Sequence, residues 1–481
     1  MKRPSAIFRC DASHEIGSGH VMRCLTIANY LRDCGWECAF SACDGATQAV
    51  PFLLQSGFEI IGPEVRRSSE IVFIDNYAMS YEQDHSYRGH AGKIIVLDDL
   101  ADRTHDCDVL LDQTFSRNSD DYKSLVPESS VILTGSDYAL LRPQFLEYRD
   151  SSLKRRAAFS GKIERVLISL GGTDPHNVMS IVLDGLQGST ISIDAVIGAG
   201  CPHLPQVMQK ISAMADQGVK IQAHQNVSNM AELMGRADIA IGAGGTTSWE
   251  RCCLGLPTVM IELAENQHDI ATALSKDGCV LNLGWYADIT PDMIRQTVIG
   301  LQNDPARVVK MTKHALAICD GRGMDRLAPF CIAQDDGIQL VLMSESDMRI
   351  LHDWQSFPAT RKYARNPEVP SWDDHVLWFK RTLNNPDSFL YKITKDGIAA
   401  GMLRLDRRAS DTREFEVSIL IAPDFYGRGI ASVALDFIRK LDPVATFMAE
   451  VHVENEASRR LFLKAGFTPV NETWFEQKRA V

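Results

Sequence analysis

The strongest constraint on this chain is a recurring local pattern: a short apolar run, a glycine-bearing loop, then an amphipathic helix. Ala6-Ile7-Phe8-Arg9-Cys10 reads as a strand, and a glycine-containing loop follows it. Val21, Leu25, Ala28 and Leu31 then fall on one stripe of a helix over residues 21–34. Further strand-like runs at 70–75, 93–97, 109–112 and 131–133 alternate with helical or irregular segments. That alternation predicts a parallel sheet covered by helices.

The polar stretch 150–162 (ending SSLKRRAAFSGK) reads as a hinge, after which a second series begins. Its strands are expected at 165–170, 192–197, 239–241 and 258–261. Two lobes of this kind place a ligand site in the cleft at the strand ends. A third unit starts near Gly337, with aromatic-rich helical stretches and strands at 388–393, 398–405, 414–421 and 446–453. Most of these strands run consecutively, so this sheet should be mixed or largely antiparallel. The expected class is therefore α/β, with two Rossmann-like lobes followed by an α+β domain. Boundaries are expected at 1–155, 156–333 and 337–481, which suits a 481-residue chain at about 150 residues per domain.

Charge narrows the function. The formal net charge is −12, the acidic excess lies in the two lobes, and the last third is close to neutral. Without a basic field, nucleic acid is not an expected partner. An anionic ligand would need local donors such as backbone N–H groups or single basic residues. All 12 cysteines lie between Cys10 and Cys331, with no CxxC pair and no metal-ligand spacing, so no metal is expected. No signal peptide is read at the start, and no apolar run approaches the roughly 20 residues that span a bilayer. A cytoplasmic protein with reduced thiols and no membrane partner is expected.

The first loop, Asp11-Ala-Ser-His-Glu-Ile-Gly17-Ser18-Gly19-His20, sets His20 at or near a helix N-terminus. A neutral imidazole there can act as general base toward water. By spacing alone, a glycine turn with a surface histidine is the preferred explanation, because a short Gly-x-Gly is a weak signal. In the second lobe, Gly171 and Gly172 end the first strand, and their N–H groups can meet phosphate oxygens. Gly242-Ala-Gly244-Gly245-Thr246-Thr247-Ser248-Trp249-Glu250 follows the strand at 239–241, with Glu250 in the first turn of a helix. A carboxylate beside a diphosphate site needs another task, and accepting hydrogen bonds from ribose hydroxyls is one. Asn266 and Gln267 offer neutral donors and acceptors suited to acetamido and hydroxyl groups, and His268 is left unassigned.

The segment RCDASHEIGSGHVMRCLTIANYL, with the later motifs, resembles the UDP-sugar hydrolases of pseudaminic acid biosynthesis, a GT-B-fold family. The resemblance covers about residues 1–333. It implies hydrolysis of UDP-2,4-diacetamido-2,4,6-trideoxy-β-L-altropyranose to free sugar and UDP, with inversion at C1. It also implies that His20 is catalytic with Asp11 nearby, and that Gly17 and Gly19 approach the substrate. The glycine loops through Thr246 and Thr247 would take the diphosphate, Glu250 the ribose, and residues 226–230 the uracil.

In the third unit, Ile421-Ala-Pro-Asp-Phe-Tyr426-Gly427-Arg428-Gly429-Ile430-Ala431 ends a strand and feeds a helix. It resembles motif A of the GNAT acetyltransferases, whose loop holds the acetyl-CoA pyrophosphate. Asn455, Ser458, Phe462 and Gly466-Phe467 match that family's NxxSxxLYxKxGF region, except that Phe462 stands where many members have tyrosine. Acetyl-CoA is the implied co-substrate. Glu416, with Glu450 behind it, is the candidate base that frees the acceptor amine. Residues 354–369, containing Arg365-Asn366-Pro367-Glu368-Val369, resemble the acceptor side of the pseudaminic-pathway N-acetyltransferase, a GNAT enzyme.

That enzyme acylates UDP-4-amino-4,6-dideoxy-N-acetyl-β-L-altrosamine, and the hydrolase acts next. A bifunctional transferase and hydrolase is the expected reading. Two alternatives remain: a GT-B glycosyltransferase fused to an unrelated acetyltransferase, or a non-catalytic nucleotide-sugar and CoA sensor. On the first reading, cutting between Gln334 and Gly337 should leave two independently active pieces.

Overall fold

The computed structural model describes residues 3–11, 19–43, 51–198, 200–225, 227–332, 337–409 and 413–478. The chain divides into two compact units: residues 5–29 with 38–324, and residues 1–4 and 30–37 with 325–481.

The larger unit holds two sheets. The first comprises β1 (Ser5–Cys10), β2 (Glu37–Ser41), β3 (Glu59–Ile61), β4 (Ser69–Asp75), β5 (Ala91–Leu97), β6 (Val109–Asp112) and β7 (Val131–Thr134), in the order β3-β2-β1-β4-β5-β6-β7. The second comprises β8 (Arg165–Ser169), β9 (Ser192–Ile197), β10 (Ile221–Gln225), β11 (Ile239–Ala243), β12 (Thr258–Glu262) and β13 (Val280–Trp285), in the order β10-β9-β8-β11-β12-β13. Both are parallel sheets. Each runs outward from its first strand, then restarts on that strand's other side, which is the Rossmann order. The central strands are largely apolar and buried, with a few polar residues at their ends. Ile94–Leu97 of β5 and all of β11 and β12 are buried.

The strands foreseen from apolar runs are all present, within a few residues at their ends. In these two sheets the strands not foreseen, β2, β3, β10 and β13, lie at or next to sheet edges, where one side needs little apolar cover; three more, at Ile338–Leu342, Thr468–Pro469 and Trp474–Gln477, were not foreseen in the smaller unit. β10, Ile-Gln-Ala-His-Gln, contains no fully buried residue.

The expected hinge at 150–162 is not a loop over most of its length. α2 (Pro143–Ala157) continues through it, burying Ser152 and Arg156 beneath the charged residues that made the segment look exposed. α1 (Gly19–Asp33) follows β1; α3 (Thr247–Cys253) follows β11, and α4 (His268–Asp277) follows β12.

The smaller unit is a mixed sheet, ordered β14-β15-β16-β17-β18-β20-β19. Its strands are β14 (Ile338–Leu342), β15 (Ser388–Lys395), β16 (Ile398–Arg407), β17 (Glu414–Ile421), β18 (Thr446–Glu450), β19 (Thr468–Pro469) and β20 (Trp474–Gln477). Strands β14 to β17 pair antiparallel, as the consecutive runs predict, and β17 pairs with β18 in parallel. α5 (Ile430–Leu441) crosses between those last two strands, and α6 (Glu456–Lys464) follows β18. Residues 30–37 belong to this unit: Trp36 is buried and donates its indole N–H to the Leu441 carbonyl at 3.2 Å.

Candidate active sites

In the first sheet the strand order reverses between β1 and β4, and their last residues, Cys10 and Asp75, stand in register. Ligand crevices in open α/β sheets form at this switch point, beyond the carboxyl ends of the strands. His20 is the second residue of α1, and its buried Nδ1 contacts the Asp75 carboxylate. An ionised carboxylate only accepts, so this contact calls for the hydrogen on Nδ1, and in a neutral ring that leaves the lone pair on Nε2; Arg23 Nη2 also lies 3.1 Å from Nδ1. Arg23, one turn along α1, donates to both Asp75 oxygens, from Nε at 2.5 Å and from Nη2 at 2.6 Å. Burial pushes the Asp75 carboxyl up, but Arg23 and His20 together hold it well below the usual carboxylate range.

Asp11, expected beside His20, is bonded elsewhere. It pairs with Arg9 at 2.6 Å and accepts from the Cys43 N–H at 3.1 Å and from Asn76 Nδ2 at 2.7 Å. The carboxylate on the imidazole is instead Asp75, which no motif marked. Its signal was positional: an aspartate ending the strand that follows the chain reversal. Gly17 lies outside the described residues, as does Asn226 of the expected uracil segment; Gly19 is the first residue of α1.

Tyr77 was also missed. Its ring meets the His20 ring edge-on, with centroids 4.3 Å apart, and its hydroxyl donates to Asp99 at 2.5 Å. Asn266 of the second lobe lies close enough to the Tyr77 hydroxyl to oppose part of the upward push that burial and Asp99 give it. A Cβ added to Gly19 would lie 3.8 Å from Thr246 Cγ2. The start of α1 therefore faces the glycine loop of the opposite lobe.

In the second lobe the order reverses between β8 and β11. Gly171 and Gly172, just beyond β8, are exposed, and Gly242–Thr246 carry the chain from the end of β11 to α3. At Gly242 a Cβ would meet Arg251 Nη1 at 2.4 Å and the Ser169 carbonyl at 2.8 Å, so only glycine fits. Gly244 is buried, whereas Gly245, Thr246 and Thr247 are half-buried. The Gln267 amide oxygen accepts from Gly244 N–H at 3.2 Å and from Leu263 N–H at 2.9 Å. Through its oxygen Gln267 thus ties two loops together. Glu250 accepts from Arg142 Nη2 at 3.0 Å, yet burial still raises its carboxyl above the ordinary range. His268 bonds to Glu262 at 2.9 Å beside a cavity of about 680 Å³ that Trp285 also lines.

In the smaller unit, Gly427 and Gly429 both take positive φ, +74° and +77°, and Gly429 is the N-cap of α5. Tyr426, Gly427, Arg428 and Gly429 are exposed, Ile430 is buried and Ala431 half-buried. A cavity of about 410 Å³ there is lined by Arg428, Gly429, Ile430, Lys395 and Lys464. Three cations around a glycine turn fit an anionic group such as the diphosphate of acetyl-CoA. Asn455 caps α6 by accepting from the Ser458 N–H at 3.1 Å, so its side chain holds a helix end. Phe462 is buried against Phe467 and Phe475. β17 and β18 pair only as far as Glu416 and Met448. Arg365 spans Glu416, at 2.8 Å, and Glu450.

Two regions of the chain match family models. Residues 170–321 match the glycosyltransferase family 28 C-terminal domain, and residues 338–468 match the acetyltransferase (GNAT) domain. The chain thus joins a GT-B-like pair of lobes of the nucleotide-sugar-processing kind to a GNAT acetyltransferase domain. An uncharacterised protein of Methanocaldococcus jannaschii is 23% identical over 482 residues, covering 95% of each chain. The UDP-2,4-diacetamido-2,4,6-trideoxy-β-L-altropyranose hydrolase of Campylobacter jejuni is 26% identical over 279 residues, 56% of this chain and 96% of its own. Among solved structures, MurG of Acinetobacter baumannii superposes with a TM-score of 0.50 at 15% identity, over 67% of this chain and 98% of its own, a likeness of fold. Among the described residues, no helix is long and apolar enough to cross a membrane.

Proposed function

We propose that the larger unit hydrolyses a UDP-linked diacetamido sugar, UDP-2,4-diacetamido-2,4,6-trideoxy-β-L-altropyranose, at its anomeric carbon. We propose further that the smaller unit N-acetylates the 4-amino precursor of that sugar from acetyl-CoA. The observation that carries this reading is the His20–Asp75 pair at the switch point, opposite the Gly242–Thr246 loop. Asp75 fixes the tautomer, and Nε2 takes a proton from water as the water attacks C1. UDP leaves with the C–O bond electrons, and backbone N–H groups of the glycine loop stabilise the growing diphosphate charge. Glu250 holds the ribose in place of its Arg142 contact, and Asn266 reaches the sugar beside Tyr77. Attack on the face opposite UDP inverts C1.

In the smaller unit Arg428, Lys395, Lys464 and the N–H groups after Gly427 hold the acetyl-CoA phosphates, which brings an activated acetyl group to the parting strands. Glu416 removes the acceptor's proton. The two reactions are consecutive on one sugar, which gives the fusion a chemical reason. The test is NMR of one reaction containing acetyl-CoA and the UDP-4-amino sugar. N-acetylation followed by release of the inverted free sugar is expected. Transfer to a second sugar instead of water, or no UDP release, would overturn the hydrolase reading.

A further inference from the structure

β17 and β18 are paired over three residues and then part. Glu416, in the last pair, stands on one lip of the opening, and Glu450, two residues past Met448, stands on the other. On its far side β18 is bonded to β20, where Glu450 faces Trp474. Arg365, from the segment before the helix Trp372–Asn384, reaches across the opening. Its Nη2 donates to Glu416 at 2.8 Å, its Nε to Glu450, and its guanidinium carbon lies 5.9 Å from the Trp474 ring centre.

Two carboxylates and an aromatic face around one point make a site for a cation. The cation now there is loosely kept. The Arg365 side chain is 62% exposed, against 20% for Glu416 and 33% for Glu450, so it lies over the pair from the solvent side. Exposed ion pairs of this kind are weak and readily exchanged.

We propose that Arg365 is a stand-in for the acceptor's ammonium group: the incoming amine displaces the guanidinium and binds between Glu416 and Glu450. This rests on the acetyltransferase reading of the smaller unit and deepens it, because it identifies the groups that select a protonated primary amine. Glu450 and Trp474 hold the ammonium, and Glu416 accepts one of its protons. The freed nitrogen lone pair attacks the acetyl carbonyl carbon, the C–S bond breaks, and the CoA sulfur leaves with the bond electrons. The second nitrogen proton is lost as the amide forms, and the thiolate takes up one proton. One ammonium ion and one thioester give one amide, one thiol and one proton.

The experiment follows CoA thiol release by the full-length chain, with acetyl-CoA and either the UDP-4-amino sugar or spermidine as acceptor. Arg365→Ala and Arg365→Gln should each lower the acceptor KM about two- to five-fold, the worth of an exposed ion pair, with kcat within two-fold of the parent. Glu450→Gln should raise KM at least ten-fold with little change in kcat. A higher or unchanged KM in both Arg365 variants would overturn the stand-in role and make Arg365 a substrate-binding or structural residue. Release with spermidine alone would defeat the sugar assignment but leave the Arg365 comparison decisive on spermidine. Release with neither acceptor would overturn both.

Discussion

His20 and Asp75 meet because the last residues of β1 and β4 are in register, so the helix after one strand starts beside the carboxylate that ends the other. Asp75→Asn keeps the shape but can present its NH₂ to Nδ1, favouring the tautomer whose proton sits on Nε2. Hydrolysis should fall at least about 100-fold, the scale of a positioned general base, while acetyl transfer stays near normal. His20→Gln should match that loss without disturbing the Asp75–Arg23 pair. UDP release and thiol release, measured on the same preparations, check both variants. The asparagine variant should also melt earlier, because Arg23 loses its buried counter-ion.

Glu250 gives a pH test. Burial raises its carboxyl above 4.5, only partly offset by Arg142. For stability, the raised value means that the contribution of the neutral acid is present at low pH and lost as pH rises through the folded pKa. For ribose binding the sign is opposite, because the carboxylate is the acceptor. Uridine, which has no phosphate to titrate near neutrality, should therefore bind more tightly as pH rises through a midpoint above 4.5. Glu250→Gln should bind it roughly 10- to 100-fold more weakly at pH 7, the value of hydrogen bonds to a charged group, with that pH step gone. Calorimetric titration of uridine from pH 4.5 to 8 makes the measurement.

Much of this was legible in the sequence because the signals are local. Apolar runs marked the central strands, and glycine loops marked both switch points and the α5 cap. The carboxylate on His20 was not legible, since register between β1 and β4 joins residues 55 apart and Asp75 belongs to no motif. Tyr77 escaped for the same reason: it belongs to no motif, and only the fold brings its ring against His20. At Gln267 the sequence was ambiguous because an amide suits a ligand and a backbone equally well, and only the fold shows its oxygen accepting from Gly244 and Leu263.

The two hydrogen bonds that Gln267 accepts make it a test of loop order. Gln267→Ala frees the Gly244 and Leu263 N–H groups and loosens the glycine loop. KM for the UDP-sugar should rise about ten-fold, a loss of one to two hydrogen bonds, with kcat reduced less. Equal loss in kcat alone would mean that the loop acts in the chemical step. Steady-state UDP release distinguishes the two.

Phe462 lies in the core between Phe467 and Phe475, where a GNAT enzyme that used a tyrosine acid would present a hydroxyl. Phe462→Tyr should not accelerate acetyl transfer. It should instead cost about 1–3 kcal/mol by burying a hydroxyl without a partner. Thermal melting and thiol release check the two halves of that statement, and a faster enzyme would return the position to the chemistry.

The cut between Gln334 and Gly337 no longer predicts two sound pieces. Residues 30–37 belong to the smaller unit, with Trp36 bonded to Leu441 and Cys34 beside the Arg413–Asp442 pair. A fragment starting at Gly337 lacks all of these and exposes the apolar surface that Trp36 covers. In the intact chain, Trp36→Ala should destabilise this unit by about 3–5 kcal/mol, the usual cost of emptying a buried aromatic site. Acetyl transfer should then be lost at a lower temperature than in the parent. The isolated fragment should melt lower still or aggregate, and a peptide spanning residues 30–37 added in excess should recover part of the difference. A fragment as stable and active as the intact chain would show that the N-terminal segment adds nothing to the acetyltransferase fold.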